Sequence, residues 1–311
     1  MTEPAPLFQD VADGPPGGRA VWLTASDGTR IRAALWGDGP KGTVFLFPGR
    51  TEYVEKYGRA AADLQARGYA TLAVDWRGQG LAQRAYADRL IGHVTDFSEF
   101  QRDVDALLDF AGTASLPGPY FLLCHSMGGC IGLRSLVRGA PFHAAAFSAP
   151  MWGISMAAWM RPLAHVLGRL AGPFGQAHRY APGTGGTTYV IAAPFQDNVL
   201  TTDPDMWDYM RRQVADHPDL ALGGPSLGWL HAALRECAAL SVLPAPPVPA
   251  VTALGTAEKV VDVAPIHLRM SGWKDGRLDL YAGAEHEVPM ETPAHRARFF
   301  DAAAALFDSR R

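Results

Sequence analysis

Cysteine and net charge are both scarce in this chain of 311 residues. Cys124, Cys130 and Cys237 are too few and too scattered for a disulfide framework or a metal cluster. Lysine and arginine total 28 against 31 acidic residues, a formal net charge of -3, and no basic run is present that could neutralise a row of phosphates, so nucleic acid is not an expected partner. No stretch is apolar for long enough to span a bilayer, and the opening MTEPAPLFQD lacks the basic and apolar regions of a secretory leader. A cytoplasmic protein is expected, with transient contact at a membrane surface left open. Internal repeats and low-complexity tracts are absent as well, and no cofactor or metal is signalled. Nothing in the sequence sets an oligomeric state.

What remains is ordinary globular material, 48% hydrophobic and 19% charged, enough to bury a large core in one domain with an insertion or in two modest domains. After a Pro/Gly-rich arm over 1–18, the segments AVWLTA and RIRAALWG alternate around Ser26-Asp27-Gly28 and predict an antiparallel hairpin. The runs TVFLF (43–47), ATLAVDW (70–76), YFLLC (120–124) and HAAAFSA (143–149) are short and nearly continuously apolar, as strands buried on both faces are. Helical periodicity separates them, so a mostly parallel sheet flanked by helices is expected. Asp96 with Glu99 three residues later predicts a capped helix start before Phe100 to Phe110.

From about Pro150 to Leu243 the strand-helix rhythm stops. Strand-like segments resume at PAVTALG (249–255) and RLDLYA (277–282), and a closing helix is expected over Pro293 to Phe307. The expected organisation is therefore a core over 19–149 and 244–311 with a helical cap or lid over 150–243, inserted before the last two strands.

Chemistry concentrates at the end of YFLLC, which runs directly into His125-Ser126-Met127-Gly128-Gly129 and a helical stretch from Cys130 to Arg138. A serine at the tip of a strand-to-helix turn is pushed outward by its own backbone. Small neighbours are needed because strand and helix approach closely there. The Met127 amide sits where a helix N-terminus can stabilise a developing oxyanion.

CHSMGG resembles the nucleophile elbow G-x-S-x-G of α/β-hydrolases, and its context is similar to the monoacylglycerol lipase and lysophospholipase branch, with Cys124 in the place of the first glycine. The resemblance implies an α/β-hydrolase fold and a Ser, acid, His triad in that chain order. Phe47-Pro48-Gly49-Arg50-Thr51-Glu52 matches the family's oxyanion loop with proline in place of histidine, which implies that the Arg50 amide joins that of Met127. Asp75-Trp76-Arg77-Gly78-Gln79-Gly80 is similar to the D-x-R-G-x-G loop and supports the fold without being assigned chemistry. His286, in Gly283-Ala284-Glu285-His286-Glu287 after the last strand, stands where the family places its base. The acid is Glu258, with Asp262 as competitor; Asp262 also reads as the cap of a helix starting near Val263. His125 reads as a packing residue.

In the insertion, Trp152, Met156, Trp159, Met160, Leu163, Val166 and Leu167 share one stripe at helical spacing. This face either packs on the core or roofs an acyl-chain site, and Trp152, Met156 and Trp159 are the candidate substrate contacts. Pro162 marks a kink or a helix start. The segments 197–204 and 222–229 resemble cap segments of bacterial lysophospholipase-like hydrolases. The expected activity is hydrolysis of a monoacylglycerol- or lysophospholipid-like ester through an acyl-enzyme on Ser126. A small-ester or thioesterase activity, other α/β-hydrolase chemistry on the same triad, and a ligand-binding protein without turnover are the alternatives.

Overall fold

The computed structural model describes residues 2–157 and 160–311. Among these, nine strands form one sheet in the order β1-β2-β3-β5-β4-β6-β7-β8-β9. They are β1 (Pro4–Ala5), β2 (Arg19–Thr24), β3 (Arg30–Trp36), β4 (Thr43–Phe47), β5 (Ala70–Asp75), β6 (Tyr120–His125), β7 (Ala145–Ser148), β8 (Ala250–Gly255) and β9 (Gly276–Tyr281). The first three strands and the β3–β5 pairing are antiparallel, and every later pairing is parallel. The N-terminal arm is not loose: Pro4 and Ala5 pair with Val21 and Ala20, and α1 (Gln9–Ala12) buries Val11 and Ala12.

Alternation along each strand builds two apolar layers. Phe45, Phe47, Leu72, Val74, Leu122 and Phe147 pack on one face with Phe100, Val104 and Leu107 of α3 (Ser98–Thr113) and Ile131 and Leu133 of α4 (Met127–Val137). Val44, Leu46, Ala73, Leu123 and Ala146 pack on the other with Ala60, Ala61 and Leu64 of α2 (Gly58–Ala66) and Phe299, Phe300 and Phe307 of α10 (Pro293–Asp308). Between β7 and β8 come α5 (Met160–Ala171), α6 (Tyr189–Ala192), α7 (Pro204–Asp216) and α8 (Leu227–Ser241), while α9 (Val263–Ser271) joins β8 to β9. No helix among the described residues is long and apolar enough to cross a membrane.

The expected strands fall within a residue or two of those found. At α3 the expected cap is found. The Glu99 carboxylate accepts from the Asp96 N–H at 3.0 Å and the Asp96 carboxylate accepts from the Ser98 N–H at 2.9 Å, the reciprocal bonds of a capping box, with Phe97 already in helical conformation ahead of Ser98.

One fully buried ion cluster ties the antiparallel edge to the parallel core. Arg32 of β3 donates to Asp75 of β5 at 2.7 Å and, through both terminal nitrogens, to Glu55 at 2.8 and 2.7 Å, and all three side chains are 0% exposed. Removing the cation strands two carboxylates in the core. Arg32→Ala should lower unfolding stability by about 3–5 kcal/mol, measured as a shift in the urea midpoint at unchanged slope.

Candidate active site

Ser126 is the single residue between the end of β6 and the start of α4, with φ 50° and ψ -117°. A non-glycine residue in that region costs about 1–3 kcal/mol and persists only where its surroundings hold it. Here the Ser126 N–H donates to the Ser148 carbonyl at 3.1 Å, and its own carbonyl accepts from Gly129 and Met151, each at 2.8 Å. Packing completes the restraint: a Cβ at Gly128 would collide with the Phe47 carbonyl oxygen, and one at Gly129 with Pro150. Cys124 fits in place of a glycine because its Sγ fills the space that a Cβ on Gly132 would need.

Glu258 and His286 lie in the loops after β8 and β9 and meet directly. His286 Nδ1 stands 2.7 Å from Glu258 Oε2, and Oε1 accepts from the amides of Val260 and Val261 at 2.6 and 3.0 Å. Burial opposes ionisation of Glu258, yet the imidazole hydrogen bond and the two amides hold its carboxyl below the ordinary glutamate range. An ionised carboxylate can only accept, so the ring proton sits on Nδ1 and Nε2 is left as the basic nitrogen. Asp262 caps α9 by accepting from Ala264 at 3.2 Å. Ser126 and His286 line one cavity, and the rings of His125 and His286 are 4.7 Å apart.

The loop after β4 approaches the serine from the other side, where a Cβ on Gly49 would sit 3.0 Å from that of Ser126. Among the described residues the backbone N–H groups of Arg50 and Met127 donate to no protein acceptor, as donors reserved for a ligand would. The amides on either side of Arg50, those of Gly49 and Thr51, are occupied by side chains. Gln79 Nε2 donates to the Gly49 and Glu52 carbonyls at 3.0 and 3.3 Å while its Oε1 accepts from Thr51 at 3.3 Å. The Glu52 carboxylate accepts from the Gly49 N–H, from Tyr57 Oη at 2.5 Å and from Lys56 Nζ at 2.6 Å.

Lys56 also pairs with Glu287 at 2.5 Å, so one buried ammonium links the Gly49 loop to the residue following His286. Burial raises the Glu287 carboxyl above the ordinary range. At Glu52 burial is outweighed by Lys56, and its carboxyl is held down to about 2. Burial lowers His125 to about 3, keeping it neutral. Glu52, His125 and Glu287 offer ligand atoms within 4.8 Å of one another, and the cation already among them is Lys56. The sequence reading missed Glu52, Lys56, Gln79 and Glu287 as functional. The signal in the sequence is an acid close to each motif, Glu52 two residues after Arg50 and Glu287 next to His286.

The cavity is about 390 Å³, and its apolar lining includes Met151, Ile154, Tyr189, Val190, Val199, Leu200, Met210, Val214 and Trp229. Its roof therefore comes from α6, α7, α8 and the 199–200 segment. Trp152, expected to touch substrate, is instead buried beside Phe147 and Trp273, with its indole N–H on the Gly129 carbonyl at 3.1 Å. Its ring fills core volume behind the elbow. Met156 is half-buried away from the lining, and Trp159 lies outside the described residues. Val166 is exposed, and α5 approaches α8 with Gly168 against His231. Pro162 falls in the first turn of α5.

The 197–204 segment holds the histidine loop. The carbonyls of Val199 and Leu200 accept from the His286 and Glu287 amides at 3.3 and 2.8 Å. Thr201 Oγ1 donates to the Met290 carbonyl at 2.6 Å, and Glu291 accepts from Thr202 and from the Glu285 amide.

Glu258→Gln should reduce kcat by about 10³–10⁴, since an amide can hold the imidazole in the wrong tautomer. The carboxyl is depressed in the folded state, so its stabilising contribution exists above the unfolded glutamate pKa of about 4.3 and fades as pH falls through the folded value; the stability gap between wild type and Glu258→Gln should therefore shrink below about pH 4. Glu52→Gln should cost about 10²-fold in kcat with KM little changed, because it slackens the loop that presents the unpaired Arg50 amide beside Ser126. Steady-state kinetics and urea titrations across pH check all three.

Residues 38–293 match the family model described as serine aminopeptidase, S33. Lysophospholipase L2 of Escherichia coli (strain K12) is 36% identical over 196 residues, which is 60% of this chain and 54% of that protein; the chain thus spans about half the length of this relative. The probable lysophospholipase L2 of Haemophilus influenzae is 28% identical over 250 residues, covering 80% of this chain and 78% of the other. Among solved structures, a soluble variant of monoglyceride lipase from Saccharomyces cerevisiae in complex with a substrate analog superposes with a TM-score of 0.73 at 19% identity, covering 93% and 95% of the two chains.

Proposed function

The chain belongs to the serine aminopeptidase S33 family of hydrolases, and from that premise we propose that it hydrolyses carboxylic esters of lipid-like alcohols, with Ser126 as nucleophile, His286 as base and Glu258 as the acid that orients it. The observation that carries this reading is the 2.7 Å contact between Glu258 and His286 in a cavity that His286 shares with the strained Ser126. A binding protein needs neither a strained serine nor a carboxylate-held imidazole.

In the first step His286 Nε2 takes the Ser126 hydroxyl proton as Oγ attacks the ester carbonyl. The amides of Arg50 and Met127 receive the oxyanion, where each such donor contributes about 10²–10³ in rate. Collapse expels the alcohol, which takes the proton from His286. Water then attacks the acyl-enzyme by the same route and releases the acid. Apolar side chains along the cavity favour an acyl chain over a polar acid. Residues 150–243 act as the cap over this site, and the reading includes cytoplasmic action with transient contact at a lipid surface. The names of the relatives, lysophospholipase and monoglyceride lipase, point to the same ester class.

A fluorophosphonate probe should label wild type and leave Ser126→Ala unlabelled. With p-nitrophenyl esters, kcat/KM should climb from acetate to medium-length acyl chains and Ser126→Ala should lose at least about 10³-fold. Equal labelling of both proteins would reject the assignment, and a preference for acetate would move the substrate to small esters.

A further inference from the structure

Arg50 does more than offer its amide. Arg50 and Trp229 both line the cavity that contains Ser126, and among the described residues the Arg50 guanidinium has no carboxylate partner. Nη2 donates to the Gly223 carbonyl at 2.7 Å, and the Trp229 ring lies 5.2 Å from the central carbon. Nε is buried and unpartnered. Burial without a counter-charge pushes this guanidinium down to about 9. Several other buried or half-buried arginines are answered by acids: Arg32 by Glu55 and Asp75, Arg77 by Asp103, Arg134 by Glu236. Arg84 and Arg269 also bond carbonyls alone, but neither lines this cavity.

The position is built. Gly92 leaves room for Nη2, which a Cβ there would strike, while the Gly223 carbonyl and the indole face fix the plane of the fork. An arginine held this way keeps N–H groups on its terminal nitrogens beyond the one given to Gly223, in a fork whose geometry matches phosphate oxygens two at a time. The acids that share the cavity, Glu52 and Glu287, are taken up by Lys56.

Resting on the hydrolase reading above, we infer that the Arg50 side chain is a specificity residue that binds the phosphate of a glycerophospho head group, so that the preferred ester is a lysophospholipid and not a neutral monoacylglycerol. The covalent logic is direct. When the Arg50 amide holds the ester carbonyl oxygen, the guanidinium of the same residue stands one arginine side chain away, and in a lysophospholipid the phosphate lies a comparable few bonds from the ester. One residue then reads both ends of the glycerol backbone.

The test compares lysophosphatidylglycerol, lysophosphatidic acid and monoacylglycerol carrying the same acyl chain, kept short enough to stay monomeric, with wild type, Arg50→Met and Arg50→Lys. The readout is the ratio of kcat/KM for each phosphate ester to that for the neutral ester, so that a general loss of rate cancels. That ratio should fall about 10- to 100-fold in Arg50→Met, the size of a lost charge-assisted hydrogen bond, mainly through KM. Arg50→Lys should fall less, because charge remains and the fork is gone. Both phosphate esters losing alike places the contact on the phosphate shared by the two; a loss confined to lysophosphatidic acid would limit it to the monoester.

In wild type, glycerol 3-phosphate should compete with neutral-ester hydrolysis where glycerol at equal concentration does not, a measurement that stands even if Arg50→Met fails to fold. An unchanged ratio in both variants, or equal effects of glycerol and glycerol 3-phosphate, overturns the inference while the hydrolase reading survives. Failure of wild type to cleave any of the three esters takes down both.

Discussion

A single ammonium group, Lys56 Nζ, sits between two carboxylates that arrive from opposite sides of the site, Glu52 at 2.6 Å and Glu287 at 2.5 Å. Glu52 fixes the Gly49 amide and hence the direction in which the next amide points. Glu287 directly follows the histidine. The Gly49 loop and the His286 loop therefore share one anchor, and their spacing across Ser126 is set by the reach of one lysine side chain. Such a buried triad is a poor source of stability because three charges must leave water. What it supplies is a unique arrangement, since shifting any member exposes an uncompensated charge to a low-dielectric interior.

Local pattern made the sheet legible. Continuous apolar runs marked β4 to β8 closely, because strands buried on both faces are apolar throughout and these runs are too short, and too closely bounded by turn residues, for buried helices. The elbow was legible for a related reason: a serine flanked by Gly128 and Gly129 directly after an apolar strand describes the steric demand of the turn. Glu258 could be separated from Asp262 only by recognising the latter as a helix cap, which it is.

Less legible was everything that depends on partners distant in sequence. Gln79 reaches the Gly49 loop across about thirty positions of chain, and the 199–200 carbonyls meet amides at 286 and 287. No periodicity encodes such meetings. The stripe running through Trp152 misled for a similar reason. A helical pattern shows that a face is apolar, but not whether it meets the sheet or the ligand, and at Trp152 the neighbours are Phe147 and Trp273.

Cys124 and Gly132 form a pair in which the first of two small residues around the serine has been exchanged for space eight positions later, on α4. Their fitness effects are consequently tied: Gly132 can enlarge only if position 124 shrinks, and a glycine at 124 would free 132 to drift. Where selection has explored this elbow, the two sites should evolve as one epistatic unit, and a pattern that demands glycine at the first position would overlook hydrolases that satisfy the same volume constraint from the helix.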